Sequence, residues 1–234
     1  MAIQKTEALV LRRFPIRETS LIAVFFSPTH GKFNGILKGI RKDPKKFASS
    51  VDLFTLNEVV FYPSRHSNLH LISQCNLIKY CLPKADRRDY WMAGKMMNLV
   101  DKVSPANQPN PELFLTLLDC LKQVGRVDPA LLVRTFRIRL LALVGFRPYI
   151  DGCLVCMRRG MSQVWFSHQE GGLLCDRCKD RDSSAMRISP GIVKAMRMIE
   201  TLPLTKALSV KLSWKDEKML RNIVESFIRY HVSS

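Results

Sequence analysis

Residues 20–39, SLIAVFFSPTHGKFNGILKG, set two strands against each other. Leu21–Ser27 is β-rich, Pro28-Thr29-His30-Gly31 is a turn, and Phe33–Gly39 returns. The pattern continues on both sides. Ile3–Phe14 is a β-rich run. Phe54–Tyr62 carries Val59, Val60 and Phe61, Pro63–Asn68 turns, and Leu69–Ile78 pairs back. Five short strands with turn signals every ~8–12 residues predict a small barrel or sandwich over residues 1–80. A five-stranded OB-type barrel matches the size.

The period changes near Pro83. Ala93, Met96, Met97 and Val100 stand at helical spacing within 84–103. Asn110 with Pro111 opens a second helix, with Leu113, Phe114, Leu117, Leu118 and Leu121 as its apolar stripe, and Gly125 stops it. Asp128-Pro129 opens a third that ends at Gly145, Ser189-Pro190 a fourth, and Ser213-x-x-Asp216 a fifth. Residues 81–234 are therefore expected to be a helical domain, making the chain α+β.

Into that domain falls Cys153-x2-Cys156-x18-Cys175-x2-Cys178. Two such pairs at this separation fit a four-cysteine zinc site, because a two-residue gap lets both thiolates of a pair turn toward one point. Val164–Phe166 and Gly172–Leu174 look like a hairpin carrying the second pair. An inserted zinc finger over 151–182, holding one structural Zn²⁺, is the expectation. An iron–sulfur cluster, a redox disulfide pair and plain reduced thiols are the alternatives. Cys75, Cys81 and Cys120 are isolated among apolar neighbours and read as packed residues.

Charge narrows the function. The chain carries 37 Lys plus Arg against 20 Asp plus Glu, a net charge of +17. The excess is spread along the whole sequence, and a polyanionic partner such as nucleic acid is its simplest physical reason. Its densest run is the loop from Lys38 to Lys46. Arg12, Arg13, Arg17, Lys38, Arg41, Lys42, Lys45, Lys46 and Arg65 are the candidate DNA contacts. Phe33, Phe47, Phe61 and Tyr62 lie nearby, where they stack on bases or fill the barrel core. Core is favoured for Phe33 and Phe61, because alternate strand residues must point inward. Arg134, Arg137 and Arg139 flank the apolar stripe of the third helix. Such a pattern suits a carboxylate-bearing peptide tail or a solvent face.

The sequence contains no G-x-x-x-x-G-K-[ST], G-x-S-x-G or H-E-x-x-H, so no catalytic residues are assigned. The apolar runs Leu21–Phe26 and Leu140–Phe146 are too short to span a bilayer. Ala8–Leu11, followed by Arg12 and Arg13, is not a secretory core. A cytoplasmic protein is expected, with no membrane or small-molecule partner.

In order along the chain, several motifs resemble the bacterial RecO family of recombination mediators. They are Glu7-Ala8-Leu9-Val10-Leu11-Arg12 with Glu18-Thr19-Ser20-Leu21, Thr29-His30-Gly31-Lys32, and Lys38-Gly39-Ile40-Arg41-Lys42. Pro111-Glu112-Leu113-Phe114 and the run Phe136–Phe146 follow. Cys153-x2-Cys156 with Phe166-Ser167, Glu170–Cys175, and Ile188-Ser189-Pro190-Gly191 complete the series. The resemblance implies an N-terminal OB-fold, a helical domain and a structural zinc finger. It implies DNA repair and recombination by binding single- and double-stranded DNA and annealing strands without ATP. It further implies partnership with RecR and with the acidic C-terminal tail of single-stranded-DNA-binding protein (SSB), helping to load recombinase on SSB-coated DNA. Arg134 resembles a family arginine implicated in docking that tail. It places the protein in the cytoplasm, associated with the nucleoid. The likeness departs after Tyr230-His231, where the family commonly continues with a basic tail. The competing readings are an RNA-binding factor built from a barrel and a zinc ribbon, and a nucleic-acid-processing enzyme.

Overall fold

The computed structural model of the chain describes residues 2–42, 47, 51–82 and 86–232. It contains two compact units, Met1–Arg126 and Val127–Ser234. The secondary structure changes from strand to helix between Tyr80 and Arg87, but the first unit runs on to take in two helices.

Five strands open that unit: β1 (Gln4–Ile16), β2 (Ser20–Ser27), β3 (Gly31–Leu37), β4 (Thr55–Tyr62) and β5 (Leu69–Tyr80). They close into a barrel in the order β1-β2-β3-β5-β4, with β4 returning to pair antiparallel with β1. Only the β3–β5 pair is parallel. Alternation sends Phe33 and Leu37 of β3, Phe25 of β2 and Phe61 of β4 into the core. Gly35 is required where β3 crosses this core, because a Cβ there would overlap Ile72 and lie 2.9 Å from the Phe25 ring.

β2 is buried at every position. One of its faces lines the barrel. The other is covered from outside, as Phe26 packs on Phe114 of α2 (Pro111–Gln123) with ring centroids 6.0 Å apart. Helix α1 (Arg87–Val103) lies against β1 and buries Met92, Ala93, Met96, Met97 and Val100. Its Asp101, also buried, takes Arg12 Nε at 2.7 Å and Lys32 Nζ at 3.3 Å. A carboxylate that loses its water needs such partners, so this pairing ties α1 to β1 and β3.

One barrel end is closed by rings. Phe33 stacks on Phe61 at 4.8 Å, Phe61 stacks on His70 at 5.3 Å, and His30 meets Phe61 edge-on at 5.3 Å. His70 Nδ1 accepts from the Ser64 backbone N–H at 3.2 Å. Burial holds both imidazoles below the ordinary 6.5. A hydrogen bond with Asn107 partly opposes this at His70, while the charge of His30 adds to it.

The second unit holds α3 (Pro129–Leu143), a three-stranded sheet, α4 (Pro190–Thr201), α5 (Leu204–Leu208) and α6 (Trp214–His231). The sheet order is β7-β6-β8, from β6 (Val164–Ser167), β7 (Gly172–Cys175) and β8 (Met186–Ile188). The hairpin expected from the sequence is β6–β7, and β8 adds a third strand to it. Phe166 packs on Phe227 of α6 at 5.8 Å, joining sheet to helices. No helix among the described residues is long and apolar enough to cross a membrane.

An imidazole held below 6.5 in the fold takes up a proton more readily when unfolded, so its contribution to stability is complete above pH 6.5 and is lost as pH falls. Protection of the β3 amides against hydrogen exchange, corrected for intrinsic rate, is expected to fall between about pH 7 and pH 5. His70→Phe should lessen that fall. Equal protection across the range would contradict the assignment.

Candidate nucleic-acid interface and metal centre

The strand register sorts the predicted DNA contacts by place. Leu21 pairs with Leu37, so the β1–β2 turn and the exit from β3 share one rim of the barrel. Arg17, Lys38, Arg41 and Lys42 are all exposed on that rim. Arg41 donates from its backbone N–H to Thr19 O at 3.0 Å and from Nη1 to Arg17 O at 3.5 Å, which holds the two turns together. Arg17 is itself in the left-handed region, with φ 52°. Lys45 and Lys46 lie outside the described residues.

Three other predicted contacts sit elsewhere. Arg65 is exposed in the β4–β5 turn, at the opposite end, because β4 begins its pairing with β1 at Leu56–Leu9 and ends at Phe61–Gln4. Arg12 is held by Asp101, as described, and Arg13 Nη1 pairs with Asp52 at 2.6 Å. Of the aromatic residues, Phe33, Phe47 and Phe61 are buried and only Tyr62 is exposed.

The arginines of α3 act within their own unit. Arg134 is 3% exposed; its Nη1 meets Glu217 of α6 and its Nη2 donates to Val210 O at 3.0 Å. Arg139 donates from Nε to Ile199 O at 3.0 Å and from Nη2 to Leu202 O, satisfying carbonyls at the end of α4. Arg137 Nη1 stands 3.9 Å from Glu225.

The four paired cysteines come together. Their Sγ atoms all lie within 4.8 Å of one another, and Cys156 Sγ is 3.7 Å from Cys175 Sγ. Each knuckle is shaped by short backbone bonds: Met157 N–H donates to Cys153 O at 2.8 Å, and Cys178 N–H to Cys175 O at 3.0 Å. Gly152 is needed beside the first knuckle, since a Cβ there would lie 2.8 Å from Arg158 O. Cys153 and Cys175 are buried, and Trp165 and Met161 pack against them.

The cluster's acid–base balance explains what it needs. Burial works against a Cys153 thiolate, but backbone N–H groups of Cys156, Cys175 and Val155 outweigh it and hold the thiol at about 6. Burial, together with hydrogen bonding to Cys175, Cys153 and Cys156, pushes Cys178 up to about 12. Four thiols this close cannot all ionise alone. A cation at their centre removes that conflict, and the four residues fit one.

A closed OB-type barrel joined to a helical unit with a four-cysteine ribbon defines an OB-fold protein with an accessory metal-binding module. Two family models resolve it further: "Recombination protein O N terminal" matches residues 1–81, and "Recombination protein O C terminal" matches residues 84–234. The chain belongs to the RecO family. It is 27% identical to the DNA repair protein RecO of Thermoanaerobacter sp. (strain X514), over 99% of this chain and 94% of that one. It is 28% identical to the DNA repair protein RecO of Thermodesulfovibrio yellowstonii, over 97% and 91%.

Replacing Cys175 by Ser removes a fully buried ligand. The expected result is loss of the bound metal, read by elemental analysis, and a lower melting temperature of the Val127–Ser234 unit. Full metal content with unchanged melting would show that the cluster is not a metal centre.

Proposed function

We propose that the chain is a non-enzymatic mediator of DNA repair that binds single- and double-stranded DNA and anneals complementary strands without ATP. Family membership supports the DNA repair role. The observation that carries the binding is the gathering of Arg17, Lys38, Arg41 and Lys42 on one rim of a closed barrel. Annealing requires that phosphate repulsion be shielded while bases stay free to pair, and neither step forms a covalent intermediate. Cations on exposed turns meet the first need.

Zn²⁺ is the ion proposed for the four-cysteine site. Thiolates about Zn²⁺ at ~2.3 Å define a tetrahedron of edge about 3.8 Å, close to the Cys156–Cys175 spacing of 3.7 Å. Four thiolates leave no open position, so its role is structural. Bound there by Cys153, Cys156, Cys175 and Cys178, it would pin the 151–182 segment beside α4.

RecR and the acidic tail of SSB are the proposed partners. Of the three α3 arginines, Arg137 is the one that such a tail would meet first, because Arg134 and Arg139 are engaged by Glu217, Val210, Ile199 and Leu202.

Two measurements test this reading. ATP-free annealing of complementary oligonucleotides precoated with SSB should proceed, and should fail when SSB lacks its acidic tail. Failure to anneal bare strands as well would overturn it. Changing Arg41 and Lys42 together to Ala should reduce the magnitude of the salt slope for single-stranded DNA by about 1.4, at ~0.7 per phosphate contact. An unchanged slope would remove the rim from the interface.

A further inference from the structure

Trp91 is 63% exposed on α1. It lies outside the stripe of Met92, Ala93, Met96, Met97 and Val100 that the helix buries.

Its surroundings are cationic. Lys95, one turn on, places Nζ 3.5 Å from the indole centroid. Arg87 and Arg88, one turn back, line a shallow hollow together with Trp91 and Asp86. Among the described residues, no ion pair involves Arg87, Arg88 or Lys95. Two carboxylates stand beside them, and one, Asp86, lines the same hollow. Asp86 Oδ1 accepts from the Asp89 backbone N–H at 2.8 Å, and Asp89 Oδ2 from the Asp86 N–H at 3.3 Å, forming the capping box of α1.

The contrast with Trp214 is informative. That ring is 72% exposed, and Lys215 stands 6.0 Å from its centroid, against 3.5 Å for Lys95 at Trp91. At Trp91 a 63% exposed ring carries Lys95 over one face and has Arg87 and Arg88 one turn back.

We infer that Trp91, with Arg87, Arg88 and Lys95, forms a stacking site for an unpaired nucleobase of single-stranded nucleic acid. The base would lie on the indole face away from Lys95, and its flanking phosphates would meet Arg87 and Arg88. A paired base inside a duplex is already stacked and cannot enter. The site thus selects single strands, in addition to the rim of the barrel, and it rests on the nucleic-acid reading given above.

The test is equilibrium binding of fluorescently labelled oligo(dT) and of a duplex of equal length to the full chain. Trp91→Ala, Trp91→Phe and Trp214→Ala are compared, with melting curves to verify folding. Trp91→Ala should weaken oligo(dT) binding by about fivefold to a hundredfold, the range that stacking one base gives. Trp91→Phe should recover most of it. Duplex binding, and oligo(dT) binding by Trp214→Ala, should stay near the parent. Parental oligo(dT) affinity in Trp91→Ala, or equal losses in Trp91→Ala and Trp214→Ala, would overturn this site alone. So would indole quenching by an acidic peptide without any change in DNA affinity, which would assign the patch to a protein partner. A parent chain that binds no oligo(dT) would bring down the nucleic-acid reading together with the site.

Discussion

Closure of the barrel, through the antiparallel pairing of β1 with β4, is the constraint from which the rest of the first unit follows. A closed sheet has no free edge, and half of its side chains must fill the interior. The rings of Phe25, Phe33 and Phe61 are consumed in that filling. Charge is expelled to turns and outer faces. The exposed rim formed by Arg17, Lys38, Arg41 and Lys42 is the consequence, and its place is set by register: Leu21 opposite Leu37 brings the two turns together. Closure also makes an outer wall, against which α1 and α2 pack, with Asp101 as the buried anchor.

The second unit solves a different problem. Its segment between α3 and α4 contributes only three short strands, of 4, 4 and 3 residues. Strands so short make few ladder hydrogen bonds, and a metal held by the four cysteines would tie the segment together. Two positions fit this account. Gly152 admits the Arg158 carbonyl, and Met157 takes a left-handed φ of 59° so that the chain can turn around the first knuckle.

Much of this was legible in the sequence because it depends on short range. The paired cysteines sit two residues apart, and that spacing alone turns both thiols to one side. The turn Pro28–Gly31 and the proline-opened helices at Pro111, Pro129 and Pro190 are equally local. What could not be read were partners distant along the chain. Arg12 and Arg13 look like free phosphate contacts until Asp101 and Asp52 are brought beside them by folding. Arg134 and Arg139 flank the apolar stripe of α3, and no periodicity tells whether solvent or another element will cover them. The proposed site at Trp91 is hidden for a different reason. The phase set by Ala93, Met96 and Val100 puts the indole outside the buried stripe, but only the fold shows that Lys95 lies over the ring.

The central claim is that this chain holds single-stranded DNA through phosphates, by cations displayed on the barrel. Its most direct test is the affinity of the full, metal-loaded chain for an oligonucleotide across a series of salt concentrations. Four rim cations predict a linear fall of log K against log salt with a slope of about −3 or steeper. A slope near zero would contradict the account, because binding would then owe nothing to the charge that the barrel presents.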